Sequence, residues 1–487
     1  MTQPLLLIPL DARPCTYRFP CDLAAIAGLP VLAPPPAMLG DLRRPADADA
    51  LHAWLNANAP HASALVLALD TLAYGGLIPS RREPIPLSTL QARLAILRTL
   101  KAQNPTLPIY GFSVTMRLSN SNDATEEKPY WAQYGTLMYR YSFHQDKFEQ
   151  EHDPRDLALA EEAKALIPAE IREDYRQTRE RNFTLNRMLL DWTQEGILDL
   201  LLLTQDDTSP FGFNVKEQRL LQADVARLGL HDRVMIYPGA DEVASALVGR
   251  HLNRVAGQKP AFHLVTSTLD GGQITAMYED RPLARTVEGQ VAAVGGRLVS
   301  EAQDADIQLM LNTPASGQGD LALRIRLELP DTPPRDLEPF ARALTSAACP
   351  VALADVAYAN GADPALFQLF RDYLGLAAFA GWNTAGNTLG TVVAQASAFL
   401  AMKNPEAQRQ FLLDRMADDL LYQAFLRPEL QQELASGRAI ADLEPEVGPR
   451  LEALWKQHFP EVPIAGITAS LPWQRLFEAD VRVHAES

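Results

Sequence analysis

The sequence predicts an α/β protein built on parallel sheet, and three observations carry that prediction. Short apolar runs alternate along the chain with longer amphipathic segments, the signature of strand–helix units. The runs are nearly unbroken, as in LLLL at 200–203, and strands covered by helices on both faces read that way. Nearly every run also ends in polar residues. In a doubly wound sheet only the strands beside the switch point need polar tips, whereas in a (β/α) barrel every tip faces one pocket. The expected architecture is therefore a (β/α) barrel-like parallel sheet. Two doubly wound α/β lobes, dividing near 250–259, are the alternative.

Each element follows in order. Residues 5–10 form the first strand, ending in Asp11 and Arg13, and 31–33 a short second one. The strand at 64–69 runs into Asp70, Tyr74 and the turn Gly75-Gly76, and 109–114 ends at Met116-Arg117. From about 119 to 195 the chain turns charged and aromatic and reads as a helical insertion. The central strand at 200–203 ends in Thr204, Gln205, Asp206 and Asp207, with Pro210 and Gly212 breaking the chain before a helix. Residues 233–237 end in Asp241-Glu242 after Pro238-Gly239. Strands at 262–266, 307–311, 351–354 and 376–380 follow, the last two leading to Asp355 with Asn360 and to 381–387, GWNTAGN. Residues 1–405 thus make an α/β catalytic domain, and 406–487 a helical C-terminal extension.

Composition narrows the function. A net charge of −16 without a Lys/Arg block argues against a grip on nucleic acid. No apolar run reaches the length of a membrane span, and MTQPLLLIPLDARP reads as a strand, not a signal peptide. Three cysteines, Cys15, Cys21 and Cys349, with no CxxC spacing point to a cytoplasmic protein without a disulfide framework. The nine histidines are scattered, so a zinc site is not expected, and no GxSxG elbow, Walker loop or GxGxxG after a strand is present.

The chemistry therefore rests on carboxylates. Asp206-Asp207 and Asp241-Glu242 are expected to end neighbouring strands, and crowded carboxyls can act as general acid and base because one keeps its proton while the other ionises. The same oxygens can hold a divalent cation, and acidic residues also suit the first turn of a helix. Around Trp382, Asn383 and Asn387 combine a flat apolar face with amides, a mixture that sugar sites and phosphate sites use. Asp11, Arg13, Asp70, Tyr74, Arg117, Asp355 and Asn360 complete the candidate substrate-binding ring, each with a strand-end cap or an ion pair as its plain alternative.

The chain resembles, nearly end to end, a bacterial family of unknown function. The shared motifs are IPLDARP (8–14), DTLAYGGLIPSR (70–81), QDDTSPFG (205–212), PGADE (238–242), DVAYANGAD (355–363), GWNTAGNTLG (381–390) and LPWQRLFE (471–478). A more distant, local analogy is to the hexosaminidases that hydrolyse O-linked N-acetylglucosamine, which are barrels with an Asp-Asp pair at a strand end. That similarity implies Asp206 polarising an acetamido group, Asp207 as general acid, and Trp382 with Asn383 in a sugar pocket.

Three functions are expected from these residues. The first is a glycoside hydrolase on a small sugar or amino sugar, needing no cofactor, with acid/base work by Asp207 and by Asp206 or Glu242. The second is a Mg- or Mn-dependent hydrolase using Asp206, Asp207, Asp241 and Glu242. The third is a non-catalytic carbohydrate or metabolite binder. In each case the partner is a small carbohydrate-like molecule, not a nucleic acid or a membrane, and a homo-oligomer fits as well as a monomer.

Overall fold

The computed structural model describes residues 3–486, which form an α/β chain with parallel sheets and many helices. The strands fall into two compact units. The first comprises residues 3–12, Pro30–Ala244 and Tyr278–Asp280; the second comprises Arg13–Leu29, Ser245–Met277 and residues 281–486. Among the described residues no helix is long and apolar enough to cross a membrane.

The first unit holds six parallel strands, β1 (Leu5–Ile8), β2 (Val31–Leu32), β3 (Ala64–Ala68), β4 (Ile109–Thr115), β5 (Leu200–Gln205) and β6 (Val234–Pro238). They lie in the order β2-β1-β3-β4-β5-β6. All of β1, β3, β4 and β5 is buried, which explains why their sequences are continuous apolar runs. The register pairs Val114 with Thr204 and Thr204 with Tyr237, then Thr115 with Gln205 and Gln205 with Pro238, so the β4, β5 and β6 tips end level.

The second unit contains β7 (Ala261–Thr266), β8 (Arg297–Val299), β9 (Ile307–Asn312), β10 (Gly319–Asp320), β11 (Val351–Asp355), β12 (Tyr358–Ala359), β13 (Ala378–Ala380), β14 (Ile464–Ser470) and β15 (Asp480–Ala485). Five of them make a parallel sheet ordered β13-β11-β9-β7-β8. Counted along its own unit, each sheet has the strand order 2-1-3-4-5, the first with a sixth strand added. This is the doubly wound order with the switch between the first and third strands. The parallel α/β class is thus as expected, but among the described residues its main ladders form two open sheets, the form of the two-lobe alternative, and no closed ring. Apolar runs locate strands; which strand pairs with which is decided by long-range contacts that the runs do not encode.

The segment 119–195 carries three helices, Trp131–Glu151, Pro154–Ala165 and Ala169–Gln194. Its aromatics dock it: Trp131 packs on Tyr175 with ring centroids 5.5 Å apart, in a cluster that also takes Tyr130, Tyr134, Tyr139 and Tyr141. The insertion also caps the helix Phe213–Leu228. Gly212 N–H donates to Asp146 Oδ2 at 2.9 Å and Phe213 N–H to Ser142 Oγ at 2.7 Å, meeting donors that a helix start leaves open.

Residues 406–486 are helical only in part. The helix Pro405–Arg415 widens into π-turns over Met416–Leu426, two further helices follow, and the chain closes with the antiparallel pair β14–β15. That hairpin escapes the sequence reading because β14 is half exposed and alternates weakly. The helix Arg18–Ile26 packs in this same unit. Arg18 donates to Asp414 Oδ2 at 3.2 Å and to the Val481 carbonyl at 3.0 Å, and Arg482 donates to Asp22 at 2.8 Å.

Candidate active site

The candidate residues divide between the units. Asp11, Asp70, Tyr74, Arg117, Asp206, Asp207, Asp241 and Glu242 belong to the first; Arg13, Asp355, Asn360, Trp382, Asn383 and Asn387 belong to the second.

At the tip of β5 the buried strand ends at Gln205, and the next two residues emerge as a pair of carboxylates. Each is met by a different guanidinium. Arg81, from the short helix Leu77–Arg82, bonds to Asp206. Arg117, two residues beyond β4, donates Nη1–H to Asp207 Oδ2 at 2.9 Å. The two arginines are joined by Glu126 and Glu127. Arg117 Nε donates to Glu127 at 2.8 Å and its Nη2 lies 3.0 Å from Glu126, while Arg81 Nη1 is 3.3 Å from both. Four carboxylates therefore share two guanidiniums, a local excess of negative charge that favours a proton on one carboxyl.

Asp207 is the group placed to hold it. Its side chain keeps 31 % exposure, against 15 % for Asp206, so it is the more open of the pair. Desolvation by the surrounding protein, and then the Asp206 charge, push its carboxyl up to about 7. Its backbone sits at φ +28°, a conformation non-glycine residues rarely take and one that recurs at functional sites. For Arg117, burial works against the charge, but Glu126, Glu127 and Asp207 outweigh it and raise the guanidinium well above its ordinary value. Glu126 and Glu127 have no place in the sequence-derived site. The available signal was two adjacent glutamates in a loop ten residues after Arg117.

The other first-unit candidates have different surroundings. Asp70 is buried at the end of β3, where its carboxylate accepts from Val114 N–H at 2.8 Å and from Ser113 Oγ at 3.4 Å, tying β3 to β4. Burial pushes it up to about 7. The folded chain therefore keeps a proton that the unfolded chain loses near pH ~4, so stability falls as pH rises from ~4 to ~7 and then levels. Asp70→Asn is expected to flatten that decline, read from urea midpoints at about pH 5 and about pH 8. Tyr74 is buried with Arg181 5.1 Å from its ring centroid. Asp11 is buried at the β1 tip, which Thr71 Oγ1 anchors through the Leu10 carbonyl at 2.8 Å. Asp241 and Glu242 are buried just ahead of the helix Val243–Ala256, and Glu242 folds back over Gly239. A Cβ added there would lie 2.1 Å from Glu242 Oε1 and would push that side chain aside, and φ +141° itself favours glycine at position 239.

In the second unit the polar tips mostly bind each other. Asp355 accepts from Asn312 Nδ2 at 2.9 Å and from Asp363 N–H at 2.8 Å; burial, then Asp363, push it up to about 7. Arg335 closes the network onto Asp363 at 2.8 Å. Asn383 Oδ1 accepts from Thr384 N–H at 2.8 Å, and Asn387 Nδ2 donates to Thr384 Oγ1 at 3.1 Å, so both amides serve the start of the helix Ala385–Leu400. Trp382 is buried with its ring 5.7 Å from that of Phe477, and Asn360 donates to Asp320 at 3.0 Å. Arg13 lies 4.7 Å from the Trp473 ring centroid.

Among the described residues no group of three or more His, Cys, Asp or Glu side chains is arranged to hold a metal ion. At the β5 tip, carboxylate oxygens are instead engaged by Arg81 and Arg117. Comparison with known proteins gives one match: the model of a family described as protein of unknown function (DUF4127) covers residues 5–482. No curated protein matches the chain, and no solved structure matches it.

Proposed function

The chain belongs to the DUF4127 family, whose description carries no activity, and we propose that it is a hydrolase working through the carboxylate pair Asp206–Asp207, with a small sugar or amino sugar as substrate. The observation that carries this reading is the unequal pair at the β5 tip: Asp206 more enclosed and bonded to Arg81, Asp207 more open and bonded to Arg117. Asp207 delivers a proton to the leaving-group oxygen as the glycosidic bond breaks. Asp206, held by Arg81, assists from the other side of the reacting centre, either by activating water or by polarising a substrate acetamido group.

The Mg- or Mn-dependent reading has less support, because a cation would have to compete with Arg81 and Arg117 for the two carboxylates. Three free thiols suit the reducing cytoplasm, where we place the protein. The test is hydrolysis of a panel of aryl glycosides, including aryl N-acetylglucosaminides, with and without chelator. Release of the aryl group that is unaffected by chelator supports the acid-pair reading. Release that requires added Mg or Mn replaces it with the metal-dependent one, and no release from any member favours a binding protein.

A further inference from the structure

Three buried polar atoms of the second unit, Asn360 Oδ1, Trp382 Nε1 and Arg427 Nε, have no hydrogen-bond partner. Their residues are 5 %, 6 % and 2 % exposed. They share one neighbourhood. Asn360 N–H donates to the carbonyl of Asn383, next to Trp382, at 3.0 Å. Trp382 packs on Phe477, and the Arg427 guanidinium lies 5.2 Å from the same ring centroid while donating to the Phe477 carbonyl at 3.1 Å. Buried polar groups are almost always paired, so three exceptions gathered together, two just past strand ends and one at the start of the helix Arg427–Ala435, mark a place where partners arrive from outside the chain.

Backbone strain converges on the same place. Asn360, Asn383, Trp473 and Gln474 all have positive φ, at +62°, +79°, +57° and +52°. Such residues cluster at ligand sites, held by their surroundings. Here the support is the π-helical stretch. Asp419 accepts from Gly381 N–H at 2.8 Å through its side chain and from Ala362 N–H at 2.9 Å through its carbonyl, fixing both loops. Gly381 is obligatory for that approach, since a Cβ there would lie 2.7 Å from Ala362 Cβ. The third wall is the β14–β15 loop, which carries LPWQRLFE, a motif the hydrolase reading leaves without a role.

The chemistry of the three atoms defines what they take. Two are N–H donors and one is an amide acceptor. Guanidiniums gather around the aromatic wall: Arg475 lies 4.8 Å from the Trp473 centroid and 5.3 Å from that of Phe477, and Arg13 sits over Trp473. Burial outweighs the raising effect of Tyr422 and of the acidic neighbours Asp320, Glu478 and Asp418, and lowers Arg427 from its ordinary value. We propose that Asn360, Trp382 and Arg427 form a second ligand site, for a small polyol bearing one carboxylate or one phosphate. The anionic group accepts from Arg427 Nε–H and Trp382 Nε1–H, and a ligand hydroxyl donates to Asn360 Oδ1. This site does not rest on the Asp206–Asp207 reading.

Calorimetric titration of the full chain with gluconate, glucose 6-phosphate and neutral sorbitol tests it. At least one of the two anions is expected to bind about tenfold or more tightly than sorbitol. Gluconate alone assigns the carboxylate form, glucose 6-phosphate alone the phosphate form. Trp382→Phe keeps a ring against Phe477 and deletes the indole N–H; it should weaken the preferred anion about tenfold with the melting temperature nearly unchanged. Asn360→Asp, which tolerates the same positive φ, should weaken it further. Equal affinity for sorbitol, no binding of either anion at millimolar concentration, or full affinity in Trp382→Phe overturns the proposal, whether or not Asn360→Asp folds.

Discussion

Asp207→Asn is expected to lower kcat by about 10²–10⁴-fold while leaving substrate affinity close to that of the unaltered protein. Asparagine keeps the shape of the side chain and an oxygen for Arg117 Nη1, so the 2.9 Å contact can persist while the transferable proton is lost. The pH profile supplies an independent check. A general acid must be protonated to act, and burial with the neighbouring Asp206 holds Asp207 at about 7. Turnover of the unaltered protein should therefore fall about tenfold per pH unit above ~7, and the Asn variant should lack that limb. Both follow from kcat and KM measured across the pH range with the best aryl glycoside. A variant that keeps the alkaline limb would assign the acid to another group.

The largest stability effect is expected at Arg415. Its side chain is 1 % exposed, stacks 3.9 Å from the Phe19 ring centroid, and donates to Asp419 at 2.5 Å and to Asp418 at 3.1 Å. Arg415→Met leaves two adjacent buried carboxyls without their guanidinium and should cost about 3–5 kcal/mol. Burial already pushes Asp419 up to about 7, so the folded chain stores a proton there and loses stability as pH rises from ~4 towards that value. Removing Arg415 extends the decline upward, so the variant should be less destabilised at about pH 5 than at about pH 8. Urea denaturation at those two pH values measures both. Equal loss at the two would show that the carboxyls are not the source.

The fold was legible where burial dictates sequence. LLLLTQ in β5 and ALVLA in β3 are apolar throughout because both faces are covered, and they read directly as strands. Strand order was not legible, since it depends on pairings between distant segments. The polar tips pointed to one ring because their second use leaves no local signal: Asp70 reaches across to Val114 N–H as a tie between neighbouring strands, and Asp355 takes up Asn312 Nδ2 from the strand beside it. The Arg297–Val299 edge strand is too short and too exposed to announce itself. At the site, the Asp206–Asp207 pair and Arg117 stood out as charges at strand ends. Glu126 and Glu127 did not, because glutamates in a polar loop look like solvated surface until the fold brings Arg81 and Arg117 to them.

The bonds from Arg18 to Asp414 and Val481 join residues 396 and 463 positions apart. During synthesis at ~5–20 residues per second, the Arg18 helix emerges roughly 20–90 s before the strand that receives it. The first unit's strands, ending at Pro238, are all made before β7 begins at Ala261. The amphipathic helix of the second unit must meanwhile travel with its apolar face uncovered, in the interval when exposed hydrophobic surface invites chaperones or aggregation. Ribosome pausing between the Arg18 helix and β15 would lengthen that wait, so the yield of folded chain should depend on how quickly β15 is made.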